Sequence, residues 1–145
     1  MEGAMDMDAL YEAARKAADN SYSPYSKFRV GAALLAEDGE IITGTNVENR
    51  SYGLTICAER GAVMAGISRG KKRFAALAIA TPDSAYPVGP CGACRQVLSE
   101  FMDSGAPVRF GGREGGQVHT TIGALLPHDS LYELAGPGGD QPGVQ

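Results

Sequence analysis

The chain has 145 residues, 43% of them hydrophobic, with no tryptophan, 13 basic and 17 acidic side chains and a net charge of −4. That length predicts one domain able to bury roughly 68–70% of its unfolded surface, and the acidic balance argues against a nucleic-acid backbone as partner. No apolar run approaches the ~20 residues that cross a bilayer and no signal-peptide pattern opens the chain, so a soluble, cytoplasmic protein without a membrane partner is expected.

Met7, Leu10, Tyr11, Ala14, Ala17 and Ala18 recur at helical spacing and predict a helix over 6–18, with Arg15 and Lys16 near its end. The stretch 20–27, NSYSPYSK, is a loop around Pro24. Residues 29–36 form an apolar run that reads as a strand. Asp38-Gly39 then marks a hairpin turn, and 41–45 returns as the second strand. The polar segment 46–55, NVENRSYGLT, has the composition of a functional loop. A helix is expected over 57–68, a buried strand over 74–80, a proline-rich loop over 81–90 and a helix over 91–101. Short strands follow near 108–110 and 118–120 across the turn GGREGG, and Thr121 caps a last short helix ending at Pro127. One domain over 1–135 with a flexible Gly/Pro-rich tail over 136–145 is the expected organisation. This order predicts an α/β fold, a mixed sheet with helices on both faces.

Three cysteines cannot all pair in disulfides. Cys91 and Cys94 are three residues apart and share one helical face; Cys57, at the start of another helix, supplies a third sulfur. Helix N-termini favour thiolates, and Pro90 suits a helix start. Three protein ligands leave the fourth tetrahedral corner open, as in catalytic rather than structural zinc. Neither His119, in a strand, nor His128, beyond a proline, is placed to close the site. Three thiolates around a dication carry net negative charge, so a compensating cation is expected. Arg60, one turn beyond Cys57, is in position to hydrogen-bond the sulfurs. Glu59 stands beside the metal only if Cys57 lies at the very first turn, since residues two apart otherwise face opposite ways. There it would serve as general acid and base. A thioredoxin-type dithiol at Cys91 and Cys94 is the rival reading, and it leaves Cys57-Ala58-Glu59 unexplained.

Cys57-Ala58-Glu59 followed by Pro90-Cys91-Gly92-Ala93-Cys94 has the general form of the zinc-deaminase signature in its three-cysteine version. Together with Tyr22-Ser23-Pro24-Tyr25-Ser26-Lys27-Phe28, Asn46-Val47-Glu48-Asn49, Ser51-Tyr52-Gly53, Arg60 and Arg95-Gln96, the chain resembles the small homotetrameric cytidine deaminases over roughly 10–127. The resemblance implies a three-layer α-β-α fold with a mixed five-stranded sheet. It also implies zinc-dependent hydrolysis of cytidine and deoxycytidine to the uridine nucleosides and ammonia, in pyrimidine salvage. In its terms Cys57, Cys91 and Cys94 hold Zn²⁺ and Glu59 shuttles protons. Phe28 packs on the base, Ala58 offers backbone contacts to it, and Asn46, Val47 and Glu48 form the sugar-binding segment. Tyr52 completes a neighbouring subunit's active site within a homotetramer. Two positions depart from the family pattern: Arg50 replaces a small residue beside the sugar segment, and Ser130 stands where a phenylalanine is usual, with Leu131 or Tyr132 as substitutes. An enzyme for an unusual cytosine nucleoside, such as a nucleoside antibiotic, is the alternative within the family. Editing of RNA or DNA fits less well, because the chain has no basic stripe.

Overall fold

The computed structural model describes residues 5–131; the expected tail over 136–145 and Tyr132 lie outside the described residues. Helix α1 (Met7–Ala18) starts where Asp6 Oδ1 accepts the Ala9 amide at 2.9 Å. Asp8 in its first turn and Arg15 and Lys16 in its last complement the helix dipole. Its buried stripe is Leu10, Ala14, Ala17 and Ala18. Strands β1 (Gly31–Ala36) and β2 (Ile41–Thr45) pair antiparallel from Gly31↔Thr45 to Leu35↔Ile41. The turn between them needs Gly39 at φ 97°, a conformation that costs a side-chain-bearing residue dearly.

Helix α2 (Ala58–Ser68) leads to β3 (Phe74–Ala80), and α3 (Gly92–Phe101) to β4 (Pro107–Gly111). Strand β5 (Gln117–Thr121) and the short helix α4 (Ile122–Leu125) complete the described chain. The sheet order is β2-β1-β3-β4-β5. Only β3 and β4 are parallel, as expected where a helix, here α3, makes the crossover. Along β1, Ala32, Leu34 and Ala36 join Leu77, Ile79, Ala62, Val63 and Leu98 in the core beneath α2 and α3, while Ala33 faces Leu10 and Ala14 of α1. That alternation makes the fold a three-layer α-β-α sandwich around a mixed five-stranded sheet. A register shift between Leu35 and Ala36 pairs Ala36 with Phe74, and Phe74 joins the same core as Leu77.

The α1 layer is thin because it is built from alanine. A Cβ on Gly31 would sit 1.9 Å from the Ala14 carbonyl oxygen, and one on Gly44 would sit 2.4 Å from the Ala62 amide of α2. Both helices therefore rest directly on strand backbone. Among the described residues no helix is long and apolar enough to cross a membrane.

Most predicted boundaries fall within two residues of those observed. The first strand, expected from Arg29, begins at Gly31 because Arg29 turns out to bond Asp83 and the Val30 amide is taken by the Asn46 side chain. The last helix stops at Leu125 rather than Pro127; Thr121 does cap it, through the Ala124 amide at 3.1 Å.

Candidate metal centre and active site

Cys57 is the N-cap of α2 and Cys91 the N-cap of α3, both with extended backbone, and Cys94 sits in the first turn of α3. Two helix N-termini therefore aim at one point. The three sulfurs lie within 4.8 Å of one another. Cys57 and Cys91 Sγ are 3.8 Å apart, well beyond a disulfide bond and close to the ~3.8 Å edge of a tetrahedron with ~2.3 Å zinc–sulfur bonds. Cys94 is buried, Cys57 half-buried and Cys91 exposed, so the cluster opens to one side. Sequence neighbours brace it. Arg95 Nε donates to the Pro90 carbonyl at 2.8 Å and its Nη1 to the Leu125 carbonyl at 3.1 Å. The chain entering Cys91 is thereby held to the end of α4.

The electrostatics fit a dication. Hydrogen bonding to Cys94, helped by the Arg60 guanidinium and Cys91, pulls the Cys57 thiol from 9.0 down to about 5. Cys94 is pushed upward by its bond to Cys57 and by burial. One sulfur thus ionises at another's expense, and a divalent cation among them removes that conflict. Arg60 Nη2 donates to Cys57 Sγ at 3.3 Å. Bonds to Cys57 and Cys94 raise its pKa further, and its buried Nε has no partner in the described structure.

Glu59 is only 4% exposed. Burial pushes its carboxyl from 4.5 up to about 7, against a weaker opposing influence of backbone hydrogen bonding. With Cys57 as a non-helical cap, the carboxylate two residues on turns inward beside the sulfurs, with Cys94 as a hydrogen-bond partner.

A cavity of about 210 Å³ opens on this centre, lined by Cys57, Ala58, Glu59 and Cys91 from the starts of α2 and α3 and by Phe28, Val30 and Asn46 from the segments flanking β1 and β2. Thr55, Ile79, Thr81, Val88 and Gly89 complete its walls. Periodicity could not single these out, since the loop residues become neighbours only through the sheet. Glu48 and Tyr52 line an adjoining recess of about 220 Å³ with Tyr25, Ser26 and Thr55. Thr55 borders both spaces.

The Asn46 amide is heavily engaged: Nδ2 donates to the Phe28 carbonyl at 2.8 Å, and Oδ1 accepts from the Val30 amide at 2.9 Å and from Ser21 Oγ at 2.5 Å. It fixes the backbone on either side of Arg29. Glu48 Oε1 accepts the Tyr25 and Ser26 amides at 3.0 and 3.2 Å, and Ser26 Oγ donates to its other oxygen. Those bonds hold the Glu48 carboxyl below its usual range, the Ser26 hydroxyl contributing most. Val47 lines neither space; its backbone pairs with Ile56 and its side chain is 49% exposed. Tyr52 is 74% exposed, with its ring 5.8 Å from that of Tyr25. Arg50 and Ser130 are both exposed.

A sulfur-only metal centre with a buried carboxylate beside it, opening on a cavity, is the site of a metal-dependent hydrolase. The family description "Cytidine and deoxycytidylate deaminase zinc-binding region" matches residues 5–108. A cytidine deaminase of Sporosarcina psychrophila is 49% identical over 123 residues, covering 85% of this chain and 90% of that protein. One from Halalkalibacterium halodurans is 46% identical over 123 residues, covering 85% and 92%. The crystal structure of the cytidine deaminase from Burkholderia pseudomallei superposes with a TM-score of 0.81 at 43% identity, over 86% of this chain and 99% of that one. The chain belongs to the cytidine and deoxycytidylate deaminase zinc-binding family, and it is a zinc-dependent deaminase.

Proposed function

We propose that the protein deaminates cytidine and deoxycytidine to the corresponding uridine nucleosides with release of ammonia, as an enzyme of pyrimidine salvage in the cytoplasm. The observation that carries this reading is one cavity bordered by Cys57, Cys91, Glu59, Ala58 and Phe28 together, in a chain 49% identical to a cytidine deaminase.

Cys57, Cys91 and Cys94 hold the zinc, whose Lewis acidity makes water a nucleophile at neutral pH. Phe28, which lines the cavity together with Val88 and Gly89, offers its ring face to the pyrimidine. The backbone amide of Ala58, at the first position of α2, has no partner within its helix and is free for the polar edge of the base. Glu59 carries one proton from the attacking water to the ring nitrogen and then the second, from the hydroxyl left on the ring carbon, to the departing amine. The oxygen is thereby left on the ring carbon and the nitrogen leaves as ammonia. Asn46, bordering the cavity, and Glu48, bordering the recess, are the residues we assign to the sugar, and a grip confined to one hydroxyl accommodates both ribose and deoxyribose.

Tyr25 and Tyr52, which line the recess, and Tyr22, Val47 and Leu54 close to them in sequence are large apolar side chains left exposed, an arrangement suited to burial by further copies of the chain. A homotetramer with shared active sites is the assembly we infer, with Tyr52 reaching a neighbouring site; sedimentation of the zinc-loaded protein tests it. The activity is tested by incubating zinc-loaded protein with each nucleoside, following the ultraviolet change from cytosine to uracil and titrating ammonia. A zinc-replete preparation that leaves both nucleosides intact overturns the reading.

A further inference from the structure

Two parts of the lining of the metal-facing cavity come from segments far apart in sequence: Phe28 and Val30 from one, and Thr81, Val88 and Gly89 from the other. The ladder between β1 and β3 ends at Gly31↔Ala80, one step short of both. Beyond that pair the strands no longer hold the walls together. Among the described residues, the hydrogen bonds that span the gap all converge on Asp83. The Arg29 amide donates to Asp83 Oδ2 at 2.9 Å, Arg29 Nε to the same oxygen at 3.0 Å, and Arg29 Nη2 to Oδ1 at 2.8 Å. Each partner stands between cavity-lining residues: Arg29 between Phe28 and Val30, and Asp83 between Thr81 and Val88. On its other side the 28–30 segment is tied to Asn46. The wall carrying Phe28 is therefore suspended between two anchors.

We propose that the Arg29–Asp83 pair is a positioning clamp that sets how the Phe28-bearing and Val88–Gly89-bearing parts of the cavity lining stand relative to each other, and so governs how well a planar cytosine ring is held. This rests on the reading of the cavity as the base site. A planar guanidinium fork on a carboxylate, reinforced by a backbone amide to the same group, fixes orientation as well as distance. The metal-binding and proton-transferring groups sit on α2 and α3, so the clamp acts on binding of the base in ground and transition states alike. Loosening it raises KM and spares kcat.

The test compares wild type with Asp83→Ala, Asp83→Asn, Arg29→Lys and the Arg29→Ala/Asp83→Ala double variant, all zinc-loaded. It reads zinc content, circular dichroism, kcat and KM for cytidine, and amide hydrogen exchange over residues 28–30 and 84–89. Asp83→Ala is expected to raise KM roughly tenfold while kcat stays within about threefold. Arg29→Lys should keep part of the affinity, and the double variant should be no worse than the poorer single one. Exchange should rise on both walls together. Unchanged KM in folded, zinc-replete Asp83→Ala overturns the proposal, as does exchange that rises on one wall alone. Should Asp83→Ala not fold, Asp83→Asn still offers an oxygen to the Arg29 amide and carries the same comparison with a smaller KM effect. A wild type inactive on cytidine would count against the functional reading, while the exchange pattern would still decide whether the clamp exists.

Discussion

Arg60 Nη2 donates to Cys57 Sγ across 3.3 Å, from one turn further along the helix that Cys57 caps. The contact brings a fixed positive charge to a set of three sulfurs that would otherwise carry a net negative charge around a dication. Partners that orient and neutralise metal ligands commonly contribute 10–100-fold to metal affinity. Arg60→Ala should therefore weaken zinc binding by about that range, read by competition with a chromophoric chelator. Arg60→Lys should recover part of it, because a lysine keeps the charge and loses the fork. Unaltered zinc affinity in Arg60→Ala would assign the residue to packing alone.

Glu59 is buried beside the sulfurs yet is not a member of the three-residue cluster. Glu59→Gln should accordingly retain zinc and the fold while losing roughly 10²–10⁴-fold in kcat, the usual contribution of a general acid–base group. Metal analysis and a thermal melt on the same preparation separate this result from misfolding. A glutamine at this place carries no charge to desolvate, so the melting temperature should not fall.

The contact of α1 and α2 with bare strand backbone makes two glycines structural. A Cβ at Gly31 meets the Ala14 carbonyl at 1.9 Å and one at Gly44 meets the Ala58 carbonyl at 2.6 Å, whereas one at Gly105 meets nothing within 4 Å. Gly31→Ala and Gly44→Ala should each cost about 1–3 kcal/mol or more, because backbone must shift to admit the methyl group. Gly105→Ala serves as the neutral control. Chemical denaturation of the three variants reads the difference.

Asp83 also sets a pH window. The side-chain bond from Arg29 holds its carboxyl at about 2 against an ordinary 3.8, with the Arg29 amide and the nearby Arg113 guanidinium acting in the same direction. A lowered folded-state pKa contributes stability that is present above 3.8 and lost as the pH falls towards 2. The gap in melting temperature between wild type and Asp83→Asn should thus be constant above pH 5 and close between about pH 4 and pH 2. Both side chains are partly exposed, so added salt should narrow the gap at neutral pH.

Removing the metal tests the junction of α2 and α3. Their N-termini meet at the sulfurs, so a chelator should lower the melting temperature, and added zinc should restore it with the logarithm of its concentration relative to Kd. Cys91→Ala should lose both the metal and the zinc-dependent part of the stabilisation.

The element order was legible because its signals are local. Helical spacing in 7–18, the Asp38-Gly39 turn and the unbroken apolar run of 74–80 act over one or two turns of chain. The metal centre was legible for the same reason, since caps and three-residue spacing decide which way Cys57, Cys91 and Cys94 face. Glu59 was the harder residue. Helical periodicity turns it away from Cys57, and only the extended cap conformation brings it back.

What the chain alone determined, then, is the chemistry: three sulfurs at helix starts, a carboxylate and an arginine within one turn, and an aromatic after a proline loop. The sheet order β2-β1-β3-β4-β5 decided the remainder. It brought Phe28 and Val88 to one cavity, turned Asn46 to bracing the Phe28–Val30 backbone, and joined Arg29 to Asp83. Those relationships are between residues far apart along the polypeptide, and no spacing rule encodes a contact that exists only after strands have paired.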